Sequence, residues 1–129
     1  MRYKVFGLVV MALVMVLSGG AYGHHSFAAT YIVDQTATIE GSVSEFLYRN
    51  PHSFLKVEAK DDKGETHMWA IEWGGAAQLG QDHVTKDVLK VGDHVICTGN
   101  PARDPTEHRM RMNSISRPSD GWKWQGRVQ

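Results

Sequence analysis

The chain has 129 residues, with 14 basic side chains against 14 acidic ones, and that length serves one small domain rather than two. A balanced charge is no electrostatic footprint for nucleic acid. Cys97 is the only cysteine, so an internal disulfide is excluded.

The first stretch is not domain. Arg2 and Lys4 form a positive head, Val5 to Leu17 is almost wholly apolar, and Ser18 to Gly23 is rich in small residues. This is the plan of a secretory signal peptide over residues 1–23. The apolar run is short for a transmembrane helix, and no membrane span is expected after cleavage. Ala21 and Gly23 are small residues at the two positions a signal peptidase reads, so the expected mature start is His24. A cut after Ala21 would give Tyr22 instead, and an uncleaved anchor is the alternative. Export places the protein in the periplasm or outside the cell. Loss of Arg2 and Lys4 leaves 12 basic residues against 14 acidic, a formal charge of −2, so no nucleic acid is expected as partner. All seven histidines lie beyond the leader: His24, His25, His52, His67, His83, His94 and His108. That excess is the compositional feature that points to metal.

Residues 24–35 read as an arm without a clear period. A barrel domain is expected over residues 36–117 and a tail over 118–129. In the first strand, from Thr36, the alternation puts Ile39, Gly41, Val43, Glu45 and Leu47 on one face. Gly41 marks a bulge or bend. Asn50-Pro51-His52-Ser53 is a turn. A second strand spans about Phe54 to Lys60, and Asp61-Asp62-Lys63-Gly64 turns the chain into a third, Thr66 to Trp73. Gly74-Gly75 ends it. Ala76 to Leu79 predicts a helical turn, and Thr85 would cap a second through Leu89. His94 to Thr98 and about His108 to Ile115 are the last two strands, and an irregular tail carries Trp122 and Trp124.

Three strands, a short helical insert and two more strands are the plan of an all-β, five-stranded OB-like barrel, since so small a sheet must close to hide its edges. A small open sandwich is the alternative. Trp69, Trp73, Ile71, Val57, Val43, Val95 and Met110 are the expected core.

His24 and His25 carry the sharpest chemical idea. A terminal histidine chelates a metal through its α-amine and imidazole together, and nitrogen donors of this kind favour Cu(II). His52, at an accessible turn, would be a third ligand. Set against this, the pair can be a plain polar terminus and His52 a turn residue that caps backbone groups. His67 and His94 read as strand histidines with structural roles, and His83 and His108 as solvated. No H-x-H, H-E-x-x-H or C-x-x-C occurs, which argues against a conventional zinc site. Met68, Met110 and Met112 suit core packing better than Cu(I) ligation. Glu72 is a candidate acid, base or partner to a ligand, although its strand position reads as solvent-facing. Arg109, Arg111 and Arg117 read as a solvated face rather than an anion site, and one of Trp122 and Trp124 as the cover of a barrel end. Phosphate loops, nucleophile elbows and paired catalytic carboxylates are absent.

Together, the opening His24-His25-Ser26-Phe27-Ala28-Ala29-x-Tyr31, the Gly41-x-Val43 and Asn50-Pro51-His52 blocks, the strand Trp69-Ala70-Ile71-Glu72 and Leu89-Lys90-Val91-Gly92-Asp93-x-Val95 resemble a family of small exported bacterial proteins of unknown function. The resemblance spans nearly the whole mature chain in order. It implies an export signal and an OB-like β domain, and carries no established activity. The chain departs from the pattern at Asp104-Pro105-Thr106-Glu107, where a shorter Gly-bearing turn is usual, and in its longer tail. The expected function is a periplasmic binding protein, not a catalyst, that holds copper or another divalent ion through His24, His25 and His52. The alternatives are an envelope OB-type module for a protein, peptide or glycan without metal, and a copper oxidoreductase, which would need an open coordination position.

Overall fold

A computed structural model describes residues 27–126. The chain divides into two units, Met1–Thr30 and Tyr31–Gln129. Residues 27–30 of the first are helical. The second contains strands β1 (Ala37–Leu47), β2 (Phe54–Lys60) and β3 (Thr66–Glu72), helix α1 (Ala76–Gln81), then β4 (His94–Pro101), β5 (Arg109–Arg117) and β6 (Trp122–Gln125).

The strands lie in the order β3-β2-β1-β4-β5-β6, and a parallel pairing of β3 with β5 closes the first five into a barrel. β1 serves both halves: its first part pairs with β4 from Ala37 to Ser42, and its second with β2 from Gly41 to Leu47. Gly41 lies in both pairings, and the position requires glycine, since a Cβ there would stand 1.9 Å from the Glu58 carbonyl oxygen. Two residues on, the register shifts between Val43 and Glu45. A bulge adds one residue and so reverses which side chains face inward. The expected inner face therefore fails beyond Val43: Phe46 and Tyr48, not Glu45 and Leu47, pack against the core.

Leu55, Val57 and Ala59 from β2, Ile71 from β3, Val95 and Cys97 from β4, and Met110, Met112 and Ile115 from β5 fill the interior. The expected core residues are buried, except Trp69, which is half-buried at the rim. Helix α1 closes one end through Leu79, with Val84 and Leu89 beside it. The Tyr48 hydroxyl sits between the carbonyl oxygens of Ala76 (2.9 Å) and Val84 (3.0 Å) and ties this insert to β1. Residues 85–89 make a turn instead of the expected second helix, with Val88 N–H donating to the Thr85 carbonyl. β4 runs past Thr98 through a register shift to Pro101, where a Cβ on Gly99 would meet the Arg111 carbonyl oxygen at 2.1 Å. The tail is likewise not irregular: β6 pairs antiparallel with β5, placing Trp124 opposite Ile115. Among the described residues no helix is long and apolar enough to cross a membrane.

Candidate functional site

The turn between β1 and β2 is fixed from several sides. Ser53 is fully buried; its hydroxyl donates to the Arg49 carbonyl at 3.1 Å and accepts from Arg49 N–H at 3.2 Å. The N-terminus of α1 meets the same turn: Ala76 N–H donates to the Arg49 carbonyl, and Ala77 N–H donates to Asn50 Oδ1 at 3.1 Å. Asn50 thus satisfies an orphan helix donor from a distant point in the chain. Gly75 makes the approach possible, since a Cβ there would lie 2.4 Å from the Pro51 carbonyl oxygen. The Asn50-Pro51 peptide is cis.

This scaffold presents His52 at an open cleft of about 360 Å³, lined by Arg49, Asn50, Pro51, His52, Phe54 and Glu72. His52 Nδ1 lies 3.3 Å from Glu72 Oε1, with the imidazole side chain 41% exposed and the carboxylate only 12%. The other oxygen, Glu72 Oε2, accepts from Arg109 Nη2 at 3.0 Å and from the Tyr31 hydroxyl. Arg109 lies over the rings of both Tyr31 (5.5 Å) and Phe54 (5.7 Å), and Arg49 also lies over Phe54, at 5.5 Å. Burial, and then the Glu72 carboxylate, push the Tyr31 phenol well above its ordinary range, so it stays a donor at neutral pH.

Glu72 is therefore the hub of the site and not a solvent-facing strand residue. The cause is barrel closure. The β3–β5 register sets Arg109 beside Ala70 and Arg111 beside Glu72, while a bridge from Tyr31 to Ala102 lays the incoming segment along the end of β4. Arg109 is accordingly an ion-pair partner and not part of a free basic face. Tyr31 and Arg109 were missed as site residues because their meeting with Glu72 depends on that closure; Arg49 and Phe54 were missed although they flank the turn in sequence.

His24 and His25 lie outside the described residues, so of the three expected ligands the structure places His52. His67 and His108 are both half-buried, so His108 is not the freely solvated residue expected: its ring stacks on that of His67 at 4.0 Å and meets Trp69 edge-on at 5.4 Å. His94 pairs with Glu40 across β1 and β4 at 2.8 Å, and His83 is exposed. Met110 and Met112 are buried core residues, whereas Met68 is exposed. Arg117 is tied to Asp93 and Asp120. Trp122 and Trp124 both pack against the core, the latter edge-on to Trp73 at 5.1 Å.

A five-stranded closed barrel with a helix between its third and fourth strands, and a cleft at the β1–β2 turn, defines a small OB-like β-barrel protein. The chain belongs to the family described as a family of unknown function (DUF6152), which matches residues 12–111. Among solved structures it is similar to the mitochondrial single-stranded DNA binding protein Rim1 of S. cerevisiae, at 17% identity and a TM-score of 0.47, over 64% of this chain and 91% of that one. No curated protein matches the chain.

Proposed function

We propose that this chain is an exported, periplasmic or secreted binding module that holds copper, or another divalent ion, through His24, His25 and His52. The observation that carries this reading is the pairing of His52 Nδ1 with Glu72 in an open cleft. Ligating histidines are characteristically oriented by a carboxylate on the ring nitrogen that does not coordinate, which here makes Nε2 the metal-facing atom. Arg109 and Tyr31 fix that carboxylate in turn. The pair His24-His25 would add two imidazoles and, once processed, a terminal amine, with only Ser26 to Thr30 separating His25 from the anchored Tyr31. The domain contributes position and the arm contributes donors. Such a protein carries or senses an ion and needs no catalytic step.

The test starts with mass spectrometry of the exported protein to fix its first residue. Copper titration followed by electron paramagnetic resonance then compares the wild type with a His24→Ala, His25→Ala double variant. The double variant should lose one copper ion per chain, and His52→Ala should remove a nitrogen from the hyperfine pattern. Equal copper stoichiometry and affinity in wild type and double variant would end the proposal. Glu72→Gln should weaken binding by roughly ten- to a hundredfold, the usual effect of removing a carboxylate that orients a ligand.

A second reading is favoured by the stacking of Arg49 and Arg109 on Phe54 and Tyr31. Arginine over aromatic rings suits a peptide or glycan, so the cleft would serve an envelope module without metal. Retention of such a ligand by the double variant but not by Phe54→Ala would favour it.

A further inference from the structure

A second cluster of ligand atoms lies at the far end of β3 from Glu72. At 3.3–3.4 Å per residue, His67 is about 17 Å from Glu72 along the strand. The β2–β3 turn holds Asp61 in place: its Oδ1 accepts from the backbone N–H of Lys63 at 2.8 Å and of Glu65 at 2.9 Å. The other oxygen, Oδ2, lies 2.8 Å from His67 Nε2, and Glu65 Oε2 lies 4.0 Å from the same nitrogen. One ligand atom from each of the three side chains falls within 4.8 Å of the others. The His67 ring is also braced on its face, stacked on His108 at 4.0 Å with 12° between the planes.

We propose that Asp61, Glu65 and His67 form a binding site for a divalent transition-metal ion, of which zinc is the simplest case, on the β2–β3 hairpin. One imidazole nitrogen and two carboxylate oxygens are a donor set such ions accept, with water filling the remaining position. The geometry needs little change. Tetrahedral bonds of about 2.0–2.1 Å put neighbouring ligand atoms about 3.3 Å apart. The Asp61–His67 separation would open by about half an ångström and the Glu65–His67 separation close by somewhat more. The Glu65 side chain is 71% exposed, so no packing opposes that movement. Asp61 is the fixed ligand, since the turn occupies Oδ1 and aims Oδ2. The ion takes the place of the proton between Oδ2 and Nε2. That proton moves to Nδ1 when the ring is neutral and to solvent when it is charged.

This site is independent of the His24, His25 and His52 reading, and a test keeps the two apart. The protein as isolated after export, carrying His24→Ala, His25→Ala and His52→Ala together, is titrated with zinc by calorimetry. One zinc ion per chain is expected. Adding His67→Gln or Asp61→Asn should each reduce affinity at least tenfold. Asparagine keeps an oxygen to accept from Lys63 and Glu65, so the turn survives, and equal melting temperatures in chelator verify that the variants fold. Side-chain nitrogen resonances of His67 should shift on zinc addition while those of His94 stay in place. The proposal falls if the triple variant binds no zinc, or if the added His67→Gln leaves affinity unchanged.

Discussion

Tyr31 is the residue on which the cleft's charge balance can be read. It is 1% exposed and donates to Glu72, which also takes Arg109. In the unfolded chain its phenol ionises near the ordinary value of 10.0; folded, burial and then the carboxylate raise it further. A raised acid contributes stability that is fully present below the unfolded value and is lost as pH climbs through the folded one. Stability should therefore fall from about pH 10 upward. Urea midpoints measured between pH 8 and 11.5 should show the decline in wild type and a weaker one in Tyr31→Phe. At neutral pH that variant should cost about 1.5–3 kcal/mol, the usual loss for a hydrogen bond to a charged group. An unchanged alkaline slope would mean that the Tyr31–Glu72 bond carries no linkage. Glu72 was legible in sequence as a carboxylate on a strand; its role was not, because its partners stand 41 and 37 positions away.

At the scale of elements, period and turn chemistry carried far and failed where one residue changed the phase. The β2 alternation and the Lys63-Gly64 turn were readable because each depends on neighbours in the chain. The second half of β1 was not, since the shift between Val43 and Glu45 swaps its inner face without altering its composition. Arg117 pairs with Trp122 across the four-residue loop Pro118 to Gly121, where Gly121 takes a left-handed φ of 74°, and so short a strand as β6 carries too little alternation to be read from sequence. The Asn50-Pro51-His52 turn was legible as a turn, while its docking on α1 was not. Gly75 makes that docking testable. Its φ of −66° suits any residue, so Gly75→Ala introduces no backbone strain, only the 2.4 Å approach to the Pro51 carbonyl oxygen. The variant should lose about 1–3 kcal/mol, as overpacking does, and should shift the His52 ring resonances in a heteronuclear spectrum. Stability lost with no change at His52 would detach the α1 contact from the cleft.

From Tyr31 onward the chain is a barrel whose closure the order of elements foretold; a tryptophan of the tail was expected as its cover, but not the pairing of that tail as a sixth strand. Three strands, a helix and two strands have few ways to hide their edges, so the β3–β5 seam follows from topology. That β6 continues the sheet past β5 follows from packing: Trp122 and Trp124 lie against the core. Cys97 gives a reporter for this cover. It is fully buried in β4, and burial alone pushes its thiol up to about 12. A thiol reagent at pH 8 can reach it only when the barrel opens. Ending the chain at Arg117 removes both tryptophans and should cost about 3 kcal/mol, taking each as a half-buried aromatic. For a domain of this size that lowers the melting temperature by more than about 10 °C. Where closing is fast relative to the reagent, labelling follows the open population, so it should accelerate roughly a hundredfold in the shortened chain. A Trp124→Ala variant should fall between the two. Equal labelling in all three proteins would show that the barrel opens without disturbing β6, and that the strand is an appendage to the fold rather than part of its core.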